Sequence, residues 1–302
     1  MTIDVIENIF KSPIYDIDIK SKSDFLLINE KGVICRNRKR IDAQLKLSWP
    51  IVRIISEELF LLVDADKPGQ EDNAWIINSL GKIEIAFYIG KAINIVLISN
   101  HIVASYSKCS LDTSRLSEKT YENPNHKSFF TERAKNKDVS GEGLAVFDFK
   151  GNCSFKYMSD SKDTDFIPFM EIYSFLRKDE KTVYLLSYLF RDGYTILEFN
   201  LETYALKKVI DLQNMIPKGC SPKAMTRKND EWYFMMNYYE ETEEGGLGNL
   251  KAYVLKGRDN QSLEQIAEYH FARKAYGNPD SSFAVIPFQI NQAICNPYHI
   301  RI

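Results

Sequence analysis

Between Lys228 and Lys251 the chain carries no basic residue, while Asp230, Glu231, Glu240, Glu241, Glu243 and Glu244 supply six formal negative charges. The last four follow Tyr238 and Tyr239, at the end of an aromatic run that begins at Trp232, and Gly245, Gly246 and Gly248 come after them. Carboxylates at this density can steer a basic partner, and paired tyrosines are side chains enriched at interfaces. Without a partner the same charges simply stay hydrated. The opposite charge is concentrated in Arg36-Asn-Arg-Lys-Arg40, with Lys31 and Lys46 nearby. Such a run can contact phosphates, but it lacks the interleaved aromatics that stack single-stranded bases, so it reads as a solvated connector. A third candidate is the stretch from Ser107 to Gly143, which holds Asn123-Pro-Asn-His126 and the pair Phe129 and Phe130. Two adjacent phenylalanines are costly to leave in water, so this segment either packs back or meets a partner.

Motifs for other chemistry are missing. His101, His126, His270 and His299 are isolated, without paired His or Cys/His spacing, and the five cysteines contain no CxxC pair. No metal, cofactor or disulfide framework is therefore expected. The sequence has no phosphate-cradling Gly-x-x-x-x-Gly-Lys-Ser/Thr loop and no Gly-x-Ser-x-Gly elbow. Catalysis remains open through one route: inner-strand acids such as Glu171 converging on a central channel as a carboxylate pair.

The elements that would position these residues are short runs rich in β-branched and aromatic side chains, separated by turn residues. Tyr15–Ile19, Asp24–Ile28 and Val33–Cys35 form a first unit. Val52–Ile55, Leu59–Val63, Trp75–Ile77 and Ile83–Ile89 form a second, with a hairpin turn at Asn78-Ser-Leu-Gly81. Ile93–Ile98, His101–Tyr106, Leu144–Phe149 and Ser154–Met158 make a third, with a tight turn at Lys150-Gly-Asn152. Glu171–Leu176, Val183–Phe190, Tyr194–Asn200 and Leu206–Leu212 make a fourth. Lys223–Thr226, Trp232–Tyr239, Leu250–Leu255 and Leu263–Phe271 make a fifth. The tail offers Phe283–Ile286, Ala293–Cys295 and His299–Ile302.

Four-strand units at a spacing of roughly 40 to 50 residues are the rhythm of propeller blades. The expectation is an all-β, single-domain β-propeller over residues 1–302, with six blades preferred to five and a long inserted loop at 107–143. N- and C-terminal strands would close the ring, because closure removes exposed sheet edges. Two rivals are a pair of β-sandwiches and, locally, a helix over Ser262–Phe271, where Ser262 and Gln265 match a capping box.

The chain has 302 residues, 18 Phe, 17 Tyr and a formal net charge of -2, the balance of an ordered globular protein without global attraction to nucleic acid or anionic membrane. Met1–Phe10 carries Asp4 and Glu7 and lacks the order of a signal peptide, so a cytoplasmic location is expected. In overall character, a divergent, aromatic-rich β protein without repeat signatures or catalytic motifs, the chain resembles the large immunity proteins of bacterial contact-dependent toxin systems. That resemblance implies a partner: a basic toxin domain, such as a nuclease, bound and blocked by this protein. The expected partner-binding residues are Tyr238, Tyr239, Glu240, Glu241, Glu243, Glu244, Phe129 and Phe130. The competing expectation is a propeller-type enzyme such as a glycoside hydrolase or lactonase. Direct nucleic-acid binding is not expected.

Overall fold

The computed structural model describes the chain apart from residues 11, 68–70, 107–137, 163–166, 168, 190–191, 242–246, 259–261, 271 and 288–295. Six four-stranded antiparallel sheets form a six-bladed β-propeller. Blade 1 holds β2 (Ile14–Ser21), β3 (Asp24–Asn29), β4 (Ile34–Arg36) and β5 (Lys39–Ile41). Blade 2 holds β6 (Pro50–Ile54), β7 (Leu59–Asp64), β8 (Ala74–Asn78) and β9 (Ile83–Phe87). Blade 3 holds β10 (Ala92–Ile98), β11 (His101–Tyr106), β12 (Leu144–Asp148) and β13 (Cys153–Lys156). Blade 4 holds β14 (Phe169–Arg177), β15 (Thr182–Leu189), β16 (Gly193–Asn200) and β17 (Leu206–Asp211). Blade 5 holds β18 (Cys220–Lys228), β19 (Glu231–Glu241), β20 (Leu247–Gly257) and β21 (Glu264–His270). Blade 6 is built from both ends of the chain: β22 (Ala272–Asn278), β23 (Ser282–Pro287) and β24 (Tyr298–Arg301), with β1 (Thr2–Val5) as its outermost strand.

Six apolar clusters fill the six junctions between neighbouring blades. Leu26, Val52, Phe60 and Leu62 pack between blades 1 and 2, and Tyr184, Leu186, Trp232 and Phe234 between blades 4 and 5. Ile17, Ile19, Ala284 and Ile286 join blades 6 and 1. Second strands such as β3, β7 and β11 are covered on both faces, and nearly every residue in them is buried. They therefore read as continuous apolar runs, whereas outer strands such as β9 are largely exposed. Each fully buried Leu, Ile or Phe contributes about 1.5–3 kcal/mol, so the stacking of blades is the main apolar support of the ring.

The innermost strands β2, β6, β10, β14, β18 and β22 all run in one sense along the channel. The face where they begin is called upper, and the face where they end lower. The lower face carries short turns between strands, such as those at 22–23, 55–58 and 79–82. In several of them an Asx side chain accepts backbone N–H groups, among them Asn78 from Leu80 and Lys82, and Asp148 from Lys150 and Asn152. Gly81 and Gly151 complete these turns at φ +86° and +87°; an added Cβ on Gly151 would lie 2.4 Å from Phe87. Both turns are those expected from the sequence. The segments joining β7 to β8, β11 to β12, β19 to β20 and β23 to β24 all depart from the upper ends of their strands. Of the 107–143 insertion, residues 138–143 are described and are pinned to blade 3's entrance: Tyr88 Oη donates to Asp138 at 2.9 Å, and Lys91 N to Ser140 Oγ at 2.8 Å.

Three local readings are decided by the structure. The strand expected over 263–271 prevails over its helical rival: Glu264–His270 is the outer strand β21, where Ala267 and Tyr269 pack toward blade 6. The Arg36–Arg40 run is the expected connector within the first blade: it joins β4 to β5 through a tight turn at Asn37–Arg38, with Asn37, Arg38, Lys39 and Arg40 exposed. Arg36 is buried there against Asp24 at 2.6 Å. Finally, Ala272–Asn278, absent from the expected strands, is the innermost strand of blade 6.

Candidate functional site

An innermost strand leaves one edge unpaired toward the channel, and buried backbone donors and acceptors need partners there. Side chains from neighbouring blades supply them. Val52 N donates to Asp16 Oδ2 at 2.9 Å and Ile54 N to Asp18 Oδ2 at 2.7 Å, joining blade 2 to blade 1. Arg53 Nε donates to the Ile95 carbonyl and Asn94 Nδ2 to the Ile172 carbonyl, both at 2.8 Å, continuing through blades 3 and 4. Thr226 Oγ1 donates to the Asn278 carbonyl at 2.7 Å between blades 5 and 6.

Asp16 is the node where the ring closes. It is fully buried (0% exposed) and lies 2.9 Å from Arg53 Nη1 and 3.3 Å from Lys274 Nζ; the Tyr276 hydroxyl also donates to it. Burial opposes its charge, but Lys274, Arg53, Tyr276 and the Val52 N–H outweigh burial and hold its pKa below the ordinary value. Burial pulls Lys274 down despite Asp16, and the Arg53 guanidinium rests over the Tyr276 ring at 4.3 Å. These contacts occupy all the groups in a structural task. Beneath them, at the lower mouth, lies a cavity of about 490 Å³. Asp18, Asn94, Ser174, Arg177, Tyr276 and Asp280 are among its lining residues. Burial raises the Asp18 pKa, against the opposing influence of Arg53 and the Ile54 N–H.

The upper face of blades 4 and 5 carries a different surface. Glu171, Tyr188 and Tyr194 are directly opposed across β14, β15 and β16, so their side chains share one face of the blade. Register shifts in β14 leave Met170 and Tyr173 unpaired and bring Tyr173 beside this row. Tyr194 meets both other rings edge-on, Tyr173 at 5.5 Å and Tyr188 at 5.1 Å between centroids. Met170, Glu171, Tyr173 and Tyr188 enclose a recess of about 190 Å³. Burial pushes the Tyr173 hydroxyl up, and the neighbouring Glu171 carboxylate adds to the shift. Burial pulls the Lys223 ammonium down, with Glu171 opposing it.

Tyr238 and Tyr239 stand at the same face, at the upper end of β19, both partly exposed. Tyr238 packs against Tyr253 at 5.4 Å, and Tyr239 N donates to the Gly219 carbonyl at 3.3 Å. The aromatic surface thus runs from the recess on blade 4 to the β19–β20 hairpin on blade 5. Glu240 and Glu241 end β19, whereas Glu243, Glu244, Phe129 and Phe130 lie outside the described residues. Glu171, expected to face the channel with a second acid, instead lines the upper recess, where it is the one carboxylate among the lining residues. Sequence reading missed Tyr173, Tyr188 and Tyr194. The alternation in Glu171–Leu176 and Val183–Phe190 marked the strands, but not the cross-strand register that assembles the tyrosines. Among the described residues no group of three or more His, Cys, Asp or Glu could hold a metal ion. No described helix is long and apolar enough to cross a membrane.

No protein-family model matches the chain, and no curated protein matches it. Among solved structures it is similar to YCF48 bound to a D1 peptide, at 8% identity and a TM-score of 0.48, covering 95% of this chain and 78% of that one. It is also similar to a putative TolB from Agrobacterium tumefaciens, at 8% identity and a TM-score of 0.44, covering 93% and 87%. Apo AztD from Citrobacter koseri matches at 13% identity and a TM-score of 0.43, covering 96% and 73%.

Proposed function

We propose that this propeller is a non-catalytic binding protein that engages another protein through its upper face. The observation that carries the reading is the strip of partly exposed tyrosines, Tyr173, Tyr188, Tyr194, Tyr239 and Tyr238, which ends where β19 ends at Glu240 and Glu241, with Glu243 and Glu244 next in the sequence. Tyrosine supplies large contact area at low conformational cost, and stacked blades hold it on a rigid platform. The adjoining carboxylates favour a basic partner, and a toxin domain with a phosphate-binding active site is such a partner. On this immunity reading the protein covers a nuclease toxin inside the producing cell.

The test places a photo-crosslinking phenylalanine analogue at Tyr239 in the native cell. The control position is Leu80, 88% exposed in a lower-face turn. One discrete protein adduct from Tyr239 and none from Leu80 is expected; no adduct from Tyr239 sinks the reading. The immunity version further requires that a molar excess of this protein suppress the nuclease activity of the adduct partner. A second reading, a propeller-type hydrolase or lactonase, is favoured by the lower cavity, whose mixed polar and apolar lining includes the two carboxylates of Asp18 and Asp280. Turnover of a glycoside or lactone panel that disappears in Asp18→Asn would replace the binding reading with this one.

A further inference from the structure

We propose that the recess on blade 4 is a receptor for a single cationic side chain, a lysine or arginine projecting from the protein partner. The inference rests on the partner-binding reading and specifies its chemistry. Two tyrosine rings, a polarizable thioether and a carboxylate line the recess, and Tyr194 meets both rings in edge-type contacts. Aromatic faces carry the negative side of the ring quadrupole, so a cation enclosed by two of them is attracted electrostatically, more strongly as water is excluded. Glu171 adds a formal countercharge, and among the described residues it forms no ion pair with any cation of the chain. A volume of about 190 Å³ admits the end of one side chain, not a strand or helix.

The rest of the molecule gives the contrast. Elsewhere the protein covers aromatic faces with its own cations: Arg53 over Tyr276, Lys67 over Trp75, Lys178 over Tyr184, Arg227 over Trp232, and Arg273 with Lys274 over Tyr15. Among the described residues none is placed over Tyr173, Tyr188 or Tyr194. Lys223 is the charged neighbour that Glu171 faces across the blade junction, and burial disfavours its ammonium form. A positive charge there works against an incoming cation. Removing it should therefore strengthen the site, whereas a tyrosine cluster that serves packing alone gains no cation affinity from that change.

The test uses the full chain and blocked glycyl-arginyl-glycine and glycyl-lysyl-glycine peptides, followed by tyrosine-ring NMR shifts. Citrulline and norleucine counterparts keep the shape and lack the charge. The cationic peptides should bind at least about tenfold more tightly than their neutral counterparts. Glu171→Gln and Tyr188→Leu should each weaken binding several-fold, Tyr188→Phe should retain it, and Lys223→Met should tighten it. Equal affinity for charged and neutral peptides overturns the proposal, as does unchanged affinity in both Glu171→Gln and Tyr188→Leu. Its failure is distinguishable from that of the partner reading. A Tyr239 adduct that forms equally well in Glu171→Gln, with no cation preference in the peptides, removes the receptor and leaves the partner. Cation binding without any adduct removes the partner and leaves the receptor.

Discussion

Asp16→Ala is the perturbation that best probes how the ring is held shut. The carboxylate is fully buried and accepts from Val52 N and Arg53 at 2.9 Å each, with Lys274 at 3.3 Å and Tyr276 completing its shell. These partners come from blades 2 and 6, so that with Asp16 three blades meet, and Asp16 is 260 positions from Tyr276. Alanine leaves two cations facing one another in the channel wall with Asp18 as the nearest remaining acid. Removing one partner of a buried pair costs about 3–5 kcal/mol, so a loss of about 4 kcal/mol is expected. That lowers the folding constant roughly a thousandfold and, at about 2 °C per kcal/mol for a chain this large, the Tm by about 8 °C. Urea unfolding followed by tryptophan fluorescence measures it. Asp192→Ala, which opens a half-exposed pair with Lys208 at 2.9 Å, should cost only about 0.2–1 kcal/mol. Asp16→Asn/Lys274→Met should recover part of the loss, because the second change removes one orphaned cation. The pH dependence has a defined sign. Asp16 titrates below its unfolded value of about 3.9, so its contribution is present above that pH and is lost as pH falls through the lower folded value. An Asp16→Ala protein no less stable at neutral pH than Asp192→Ala would refute the reasoning.

Three further outcomes are expected. Burial lowers the pKa of His299, whose Nε2 lies 2.7 Å from Ser282 Oγ in blade 6. Its stabilisation is therefore complete above the unfolded value of about 6.5 and is lost as pH falls through the lowered folded value, and His299→Gln should flatten stability measured across that window. At Gly277 an added Cβ would stand 1.5 Å from the Met225 carbonyl oxygen, so Gly277→Ala should abolish soluble folded protein, while Gly141→Ala, where nothing lies within 4 Å, should leave the melting curve unchanged. Deleting residues 1–5 should lower stability modestly, since Ile3 and Val5 are 51% and 56% exposed; it bares the β24 edge, and light scattering should show concentration-dependent self-association.

Much of the architecture was legible because blade stacking buries both faces of the second strands. Apolar runs such as Leu59–Val63 and His101–Tyr106 announce themselves under that constraint, and the Asn78–Gly81 and Lys150–Asn152 turns fix their boundaries. Strands under weaker local constraint were harder to read. β5 is Lys39-Arg-Ile, too short and charged to stand out, and β22 has its alternation broken by a register shift at Arg273. In Glu264–His270 a helical face and a strand face were both available to the sequence; the open edge of β20 selected the strand.

By itself the sequence determined a propeller closed by its two ends, and it placed Tyr238 and Tyr239 at the end of a blade's second strand. Those features rest on local pattern: period-two burial and turn chemistry within a few residues. Tertiary structure alone decided that Asp16, Arg53 and Lys274 meet, because no local signal links positions on three separate blades. It also decided that Glu171 leaves the channel for an aromatic recess. Register sets which side chains stand opposite one another across strands, and the register of β14, β15 and β16 depends on bulges formed in the assembled blade.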